Sequence, residues 1–316
     1  MYVLKPVLIK PEVYGLQTER LRVERRYCVR LSAATIVGYM QVSSSAAPVS
    51  APHLPVSRRF FRRIRSSVLQ FESVYRFCLK WKYGAGRVSA AASAALPNGV
   101  LQNQREWREA ERRGKELHLP LHREANKNWD HLAAVHAIVS TQPKSAYVLD
   151  AGAEFYSNVL PALFVYGYQH LYGINLSFTD PARRGPIRYS YGDITRSEFP
   201  DSFFDAITCM SVIEHGVPLQ PYFAEMFRLL KPGGILITST DYYPEPIDTK
   251  NHVAHGTPVK IFSRADAEEM IALAMRCGFE QTGDIDLDCT ERPVRWDIYD
   301  LEYSFLIFTL RKPLTA

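Results

Sequence analysis

Acids, amides and glycines follow several strand-like runs in the second half of this chain, a pattern suited to binding a small polar ligand. Residues 147–153 (Tyr-Val-Leu-Asp-Ala-Gly-Ala) place Asp150 and Gly152 at the end of an apolar run, and Asn175 and Asp193 follow two later runs. In a parallel sheet the carboxyl ends of the strands meet at one edge, where ligands bind. These side chains are therefore predicted to share one site.

The elements that must position these residues form a regular series. Strand-like runs rich in β-branched and aromatic residues begin at Tyr147, Leu171, Phe204 and Leu230. The intervals between them are long enough for helices or returning loops, so the series predicts an α/β fold with a mostly parallel sheet. The same patterns predict helices over residues 104–117, 129–139 and 265–277, and strands over 283–288 and 303–311.

The net charge of +5 hides an uneven distribution. Residues 1–120 carry 21 Lys and Arg against 8 Asp and Glu, a balance of +13, whereas residues 121–316 carry 17 against 25, a balance of −8. Stretches of small residues and proline over 43–55 and 88–97 are typical of linkers. We therefore predict a basic N-terminal extension over 1–120 and a globular domain over 121–316.

Between the two linkers lies a basic and aromatic segment, Arg58 to Lys82. Five arginines lead into residues spaced as in an amphipathic helix. Such a helix suits a peripheral membrane contact, a nucleic-acid backbone or a docking groove. Packing on the domain with the arginines in solvent is favoured over these three, because charge runs are most often solvated faces.

Cysteine usage and hydropathy limit the remaining classes. The five cysteines are odd in number and scattered, with no Cys-x-x-Cys pair, so neither a disulfide framework nor a metal site is predicted. No apolar stretch approaches the roughly 20 residues needed to cross a bilayer, and Met1 is not followed by a leader pattern. The resulting expectation is a cytoplasmic protein, with its oligomeric state left open.

On these motifs, residues 123–316 resemble a class I S-adenosylmethionine-dependent methyltransferase of the broad group with small-molecule acceptors. The strongest block is residues 204–215 (Phe-Asp-Ala-Ile-Thr-Cys-Met-Ser-Val-Ile-Glu-His), followed by a Lys-Pro-Gly-Gly turn over 231–234. The resemblance implies a Rossmann-like sheet of seven strands with the last one reversed, helices on both faces, and S-adenosylmethionine as the cofactor.

The resemblance also implies which residues contact the cofactor. They are Asp150, Gly152, Ala153, Glu154, Asn175, Leu176, Asp193, Ile194, Met210 and Ser211. Glu154 and Tyr156 stand where the family usually has glycines, and Asn175 stands where it commonly has an acid that accepts the ribose hydroxyls. These departures keep open the alternative of a Rossmann-like binding protein without catalysis.

Two residues after the fourth strand of the series are candidates for catalysis. His215 is the predicted general base, and Glu214 is predicted to orient it or to contact the cofactor; the alternative is that both only shape the loop. Ser211 stands where related ubiquinone-pathway O-methyltransferases have the first glutamate of Glu-x-x-Glu-His, so no metal is predicted. The segment 241–262, with its tyrosines and histidines, is expected to cover the acceptor.

These features predict methyl transfer from S-adenosylmethionine to a small-molecule acceptor, with oxygen as the preferred atom. One alternative is a methyltransferase that acts on nucleic acid and grips it with the basic N-terminal region. Another is the binding protein without catalysis. A nicotinamide dehydrogenase is least favoured, because Gly-x-Gly-x-x-Gly is missing after the first strand.

Overall fold

The computed structural model describes residues 67–84, 96–254 and 256–314 of the chain. Within these residues ten strands form the main sheet: β1 (Gly99–Val100), β2 (Tyr147–Ala151), β3 (His170–Asn175), β4 (Ala182–Arg184), β5 (Ile187–Tyr191), β6 (Phe204–Met210), β7 (Leu230–Tyr242), β10 (Glu280–Gln281), β11 (Val294–Trp296) and β12 (Leu301–Arg311). Two further strands, β8 (Val253–Ala254) and β9 (Thr257–Pro258), form a separate hairpin.

Six helices and one 3₁₀ turn accompany these strands in the part of the chain that the structure describes. They are α1 (Glu72–Tyr83), α2 (Gln104–Glu116), the 3₁₀ turn (Ala125–Lys127), α3 (Asn128–Thr141), α4 (Val159–Val165), α5 (Leu219–Leu229) and α6 (Arg264–Arg276). The predicted helices over 104–117, 129–139 and 265–277 are confirmed to within a few residues. Among the described helices, none combines the length and the apolarity needed to cross a bilayer.

The sheet order explains why the polar residues after the strands come together. The order is β1-β12-β7-β6-β2-β3-β5-β4, and the central pairs from β7 to β5 are parallel. Strands buried on both faces read as continuous apolar runs, as Val148 and Leu149 do, both with no exposed area. The carboxyl ends of β2, β3, β5, β6 and β7 therefore lie at one edge.

The last long strand is reversed, as predicted. β12 pairs antiparallel with β7 from Ser304 opposite Tyr242 to Arg311 opposite Ile235. The α/β fold class with a mostly parallel sheet and a reversed last strand is thus confirmed. The seven predicted strands are supplemented by short ones, β1, β4 and β11.

The strand predicted over Gly283–Asp288 is displaced. Regular pairing at this point is limited to β10, opposite Leu310 and Arg311. Beside Leu306 and Ile307 the neighbour of β12 is β1, which comes from far upstream in the chain. Since β1 takes that edge position, residues 283–288 run on without a ladder of their own.

The basic segment Arg58–Lys82 is described only from Ser67 onwards, so the five arginines at its start lie outside the described residues. Helix α1 begins at Glu72 and packs on the domain through Tyr75, whose ring stacks on Phe164 at a centroid distance of 5.6 Å. The packed arrangement favoured from the sequence is therefore found for this helix.

Candidate functional site

A half-buried lysine, Lys127, stands at the carboxyl ends of β6 and β7. The ammonium of Lys127, from the 3₁₀ turn, donates to Ser211 Oγ at 2.7 Å and lies 3.4 Å from Asp241 Oδ1. It also sits 4.0 Å above the centroid of the Phe305 ring. The Lys127 side chain is only 15% exposed, so this charge is largely removed from water and depends on these partners.

Two further buried carboxylates surround the same lysine. Asp130 accepts a hydrogen bond from Ser239 Oγ at 2.6 Å, and Glu214 accepts one from Thr240 Oγ1 at 3.2 Å. Burial and the neighbouring Asp241 raise the pKa of Glu214 to about 8, and burial also raises the pKa of Asp241. Burial alone would lower the pKa of Lys127, but the carboxylates outweigh it and the pKa is raised.

Acidic side chains outnumber basic ones in this cluster (Lys127, Asp130, Glu214 and Asp241). Three carboxyl groups, two of which accept hydrogen bonds from hydroxyls of β7, share this edge of the sheet with one ammonium group. A cationic ligand bound here would meet groups that can compensate its charge.

Ser211 holds a strained backbone at this point. Its φ is +53°, in the left-handed region that residues other than glycine rarely adopt. Its amide donates to the Ser239 carbonyl at 3.0 Å, and its hydroxyl accepts from Lys127. Strain of this kind persists only where surrounding contacts enforce it, and it is commonest at functional sites.

Asp150, at the end of β2, faces the interior. It is 3% exposed and accepts a hydrogen bond from Thr208 Oγ1 at 2.8 Å. Burial raises the pKa of Asp150 to about 6, although the hydrogen bond from Thr208 opposes the shift. Its carboxyl group is therefore poised to change charge near neutral pH.

The turn after β2 is close to the loop after β6. Gly152 has φ +90°, and a Cβ placed on it would lie 2.4 Å from Cγ2 of Val212. The space that this glycine leaves open is thus occupied by a valine side chain. Ala153, the next residue, is buried against Gly173 of β3.

Hydrogen bonds also join the loops after β2 and β3. Asn175 Nδ2 donates to the Gly152 carbonyl at 3.0 Å, and Asn175 Oδ1 accepts from the Ser177 amide. Glu154 Oε1 accepts from Ser177 Oγ at 2.6 Å. The side chains of Asn175 and Glu154 are therefore engaged with the chain itself. Tyr156 turns away to pack edge-on against His122, with ring centroids 5.8 Å apart.

Apolar and acidic side chains remain available further along the edge. Leu176 is 63% exposed, whereas Ile194 is buried beside the turn after β5. Asp193 accepts hydrogen bonds from the amide and the hydroxyl of Thr195 through one carboxylate oxygen, Oδ1. Met210 ends β6 and is half-buried. This pattern leaves an apolar side chain and an acid on the rim.

The two predicted catalytic residues, Glu214 and His215, lie in different environments. Glu214 is buried within the charged cluster, whereas His215 is half-buried in the loop that follows.

The tyrosines of the segment 241–262, which was expected to cover the acceptor, differ from that expectation. Tyr242 and Tyr243 are buried and donate to the carbonyls of Leu287 and Thr290, so they fix the loop to the domain instead of lining a pocket.

Sequence reasoning missed Lys127, Asp130 and Asp241. Lys127 and Asp130 precede the first predicted strand, and nothing in their spacing distinguishes them from ordinary residues at the start of a helix. Asp241 ends the strand-like run that begins at Leu230, but Thr238, Ser239 and Thr240 separate it from the apolar residues of that run, so only its position after a strand could have indicated it.

Comparison with known proteins finds a matching family for the segment that carries this edge of the sheet. The model of the family described as "Methyltransferase domain" matches residues 149–238, from β2 to β7. Sterol 24-C-methyltransferase of Candida albicans is 28% identical over 119 residues, which are 35% of this chain and 31% of that protein. The mitochondrial ubiquinone biosynthesis O-methyltransferase of Schizosaccharomyces pombe is 34% identical over 61 residues, 19% of this chain and 22% of that protein.

Solved structures with a similar fold include an S-adenosylmethionine dependent methyltransferase from Mesorhizobium loti. It is 17% identical, with a TM-score of 0.42, and the match covers 59% of this chain and 98% of that one. The matched segment spans about a third of the length of the first curated relative, 31%. The match to the methyltransferase domain model thus covers residues 149–238, the part of the chain that holds the central strands of the sheet.

Proposed function

We propose that this chain is an S-adenosylmethionine-dependent methyltransferase that methylates a small-molecule acceptor. The observation that carries the proposal is the group of three buried acidic side chains, Asp130, Glu214 and Asp241, at the ends of β6 and β7, within and beside the matched segment. The ligand of this family carries a sulfonium and an ammonium group, and carboxylates favour both cations.

The residues along the edge fit such a cofactor. The cluster of Lys127, Asp130, Glu214 and Asp241 offers compensation for a cation, and Asp193 and Leu176 offer an acid and an apolar surface to a nucleoside. An orphaned acceptor also lies close by, because Asn126 Oδ1 in the 3₁₀ turn is buried without a hydrogen-bond partner. The residues that we propose to contact the cofactor are the ones predicted from the sequence, from Asp150 to Ser211.

The cofactor would supply a methyl group on sulfur, which is transferred by in-line displacement, so positioning can provide much of the catalysis. Lys127 fixes Ser211 and Asp241 at the acceptor end. Glu214 holds a proton at neutral pH and so is poorly suited to be the base. We assign the role of general base to His215. An acceptor hydroxyl needs such a base to remove its proton, so oxygen stays the proposed acceptor atom.

The acceptor is proposed to be a lipophilic molecule. Two similar proteins are named for a sterol and for ubiquinone biosynthesis. Phe155 and Leu176, at the ends of neighbouring strands, are 40% and 63% exposed and offer apolar surface at the rim. Acceptor classes can be separated by offering a lipid extract and a polar metabolite pool with radiolabelled cofactor; label confined to the polar pool would contradict this choice.

Calorimetry with S-adenosylhomocysteine tests the cofactor site. Asp193→Ala should weaken binding by roughly tenfold, the loss of one hydrogen bond to a charged group. Asp284→Asn, on an exposed residue next to β10, should leave affinity unchanged. His215→Ala should also bind normally while losing methyl transfer by about 10²-fold or more. Wild-type affinity in Asp193→Ala would remove that residue from the site.

A second candidate is a binding protein without catalysis, and one observation favours it. Val212 occupies the space above Gly152, and Glu154 bridges to Ser177 beside it. Cofactor binding requires these side chains to give way. If calorimetry shows no binding of S-adenosylhomocysteine or S-adenosylmethionine to the wild type, this candidate replaces the first.

A further inference from the structure

Helix α1 presents a pair of large aromatic side chains to solvent. Phe77 is 52% exposed and Trp81 is 58% exposed, one helical turn apart, with ring centroids separated by 6.2 Å. Phe71 adds a third ring at the start of the helix, 58% exposed. Single exposed apolar residues are ordinary, but a contiguous group on one element marks an interaction surface.

The opposite face of α1 holds the helix firmly on the domain. Tyr75, Cys78 and Leu79 are buried, and Arg76 lies 4.2 Å above the Phe164 ring. The aromatic pair therefore projects from an anchored helix. Its exposure follows from the helical period, because residues three or four positions apart lie on the same face of a helix. The exposed face contains Ser73, Phe77, Lys80 and Trp81.

The charge around this face is positive. Lys80 and Lys82 are exposed, and the acid of the helix, Glu72, is already paired with Arg76 at 2.9 Å. Along the sequence from Arg58 to Lys82 there are eight basic residues and one acidic residue, a balance of +7. Aromatic rings flanked by lysines are the composition of helices that lie in the interface of an anionic bilayer.

The helix lies close to the candidate site. Gly185, in the turn between β4 and β5, donates its amide to the Leu69 carbonyl just before α1. The preceding residue, Arg184, donates to the Phe155 carbonyl and packs on the Phe155 ring in the loop after β2. A surface bound through α1 would thus face the part of the molecule that carries the rim of the site.

We propose that the outward face of α1, formed by Phe77, Lys80 and Trp81 with Phe71 at its start, docks on an anionic lipid bilayer. A bilayer is favoured over RNA because bulky rings outnumber cations on this face. RNA-binding surfaces instead combine stacking rings with a cation-lined groove. The outer ridge of a helix offers no such groove.

Co-sedimentation of the full chain with vesicles tests the proposal without any cofactor or acceptor. The vesicles are phosphatidylcholine alone, or phosphatidylcholine with about one third phosphatidylserine, the anionic lipid of cytoplasmic surfaces. We expect strong preference for the anionic vesicles. Phe77→Ser combined with Trp81→Ser should weaken that binding at least about tenfold, because two large rings would no longer be transferred from water into the bilayer.

Controls separate lipid insertion from charge and from misfolding. Ile298→Ser changes a residue that is 82% exposed outside α1 and should bind vesicles as the wild type does. Lys80→Glu with Lys82→Glu should lose the preference for anionic vesicles. The proposal is overturned if the wild type ignores anionic vesicles, if the double serine variant binds like the wild type, or if RNA is retained and vesicles are not. Failure of the protein to bind S-adenosylmethionine would change none of these three outcomes, because vesicle and RNA binding are measured without cofactor.

Discussion

At the scale of single residues, Glu214 links the charged cluster to pH. Its folded pKa of about 8 lies above its ordinary value of 4.5. Between these values the folded protein keeps a proton that the unfolded chain releases. Stability therefore falls as the pH rises through this window and levels off above it.

Glu214→Gln should remove this titration and make the decline of stability with pH shallower. The melting temperature measured from about pH 5 to pH 8.5 should then fall less in the variant than in the wild type, in keeping with linkage. Glu280→Gln, on an exposed strand residue, is the matched control and should retain the wild-type slope. Equal slopes for wild type and Glu214→Gln would show that Glu214 is ionised in the folded state.

Residue types and spacing identified much of the edge of the sheet but not its charge balance. Asp150, Asp193 and Glu214 could be found because each follows a strand. Lys127 reaches the same edge only through the packing of the 3₁₀ turn ahead of α3, with 83 residues between it and Ser211 along the chain. No local pattern records such a contact, and burial, which sets the pKa of Glu214, is likewise a property of the fold.

At the scale of elements, a lysine closes the end of a helix. Lys312, just after β12, donates through Nζ to the carbonyls of Phe227 and Leu230 at 2.9 Å each. These carbonyls belong to the last turn of α5 and the residue after it, where a helix leaves acceptors unpaired and favours a cation. The lysine is 7% exposed, so water cannot easily replace it.

Lys312→Met should lower the free energy of unfolding by roughly 2 kcal/mol, since it leaves buried carbonyls without a charged donor. Urea denaturation measures the change. Lys115→Met, on a side chain that is 63% exposed, should shift stability by no more than about 0.5 kcal/mol. A Lys312→Met variant as stable as this control would mean that water serves the two carbonyls equally well.

Helices and central strands were predicted better than the sheet edge. The helix over Gln104–Glu116 begins after Asn103, whose side chain accepts from the Glu106 amide, a signal that is local in sequence. Residues 283–288 alternate like a strand, but pairing depends on whether an edge is free. β1 takes the neighbouring place on β12, and no pattern within residues 283–288 reveals it.

At the scale of the whole molecule, the sheet receives a contribution from the predicted basic extension. Leu101, just after β1, is fully buried; its amide donates to the Phe305 carbonyl at 2.9 Å, and its carbonyl accepts from Ser304 Oγ. Leu119 is 1% exposed. Residues from both sides of the predicted boundary near residue 120 are therefore buried in each hydrophobic cluster of the domain.

Two N-terminal truncations test where the folding unit begins. A chain starting at Ser67 keeps α1, β1 and α2, and we expect it to unfold cooperatively near the wild-type temperature. A chain starting at His122 loses Leu101 and Leu119 together with the strand that covers β12. Each lost large apolar side chain costs about 2–5 kcal/mol, a sum comparable to the whole stability of a domain.

The shorter chain should therefore be insoluble or lack a cooperative transition in calorimetry, because an uncovered edge of β12 also invites pairing with other chains. The longer chain serves as its control, since both lack the first 66 residues. If the chain from His122 melts cooperatively at the wild-type temperature, the domain is independent of everything before it. The boundary near residue 120, predicted from sequence patterns, would then coincide with the boundary of folding.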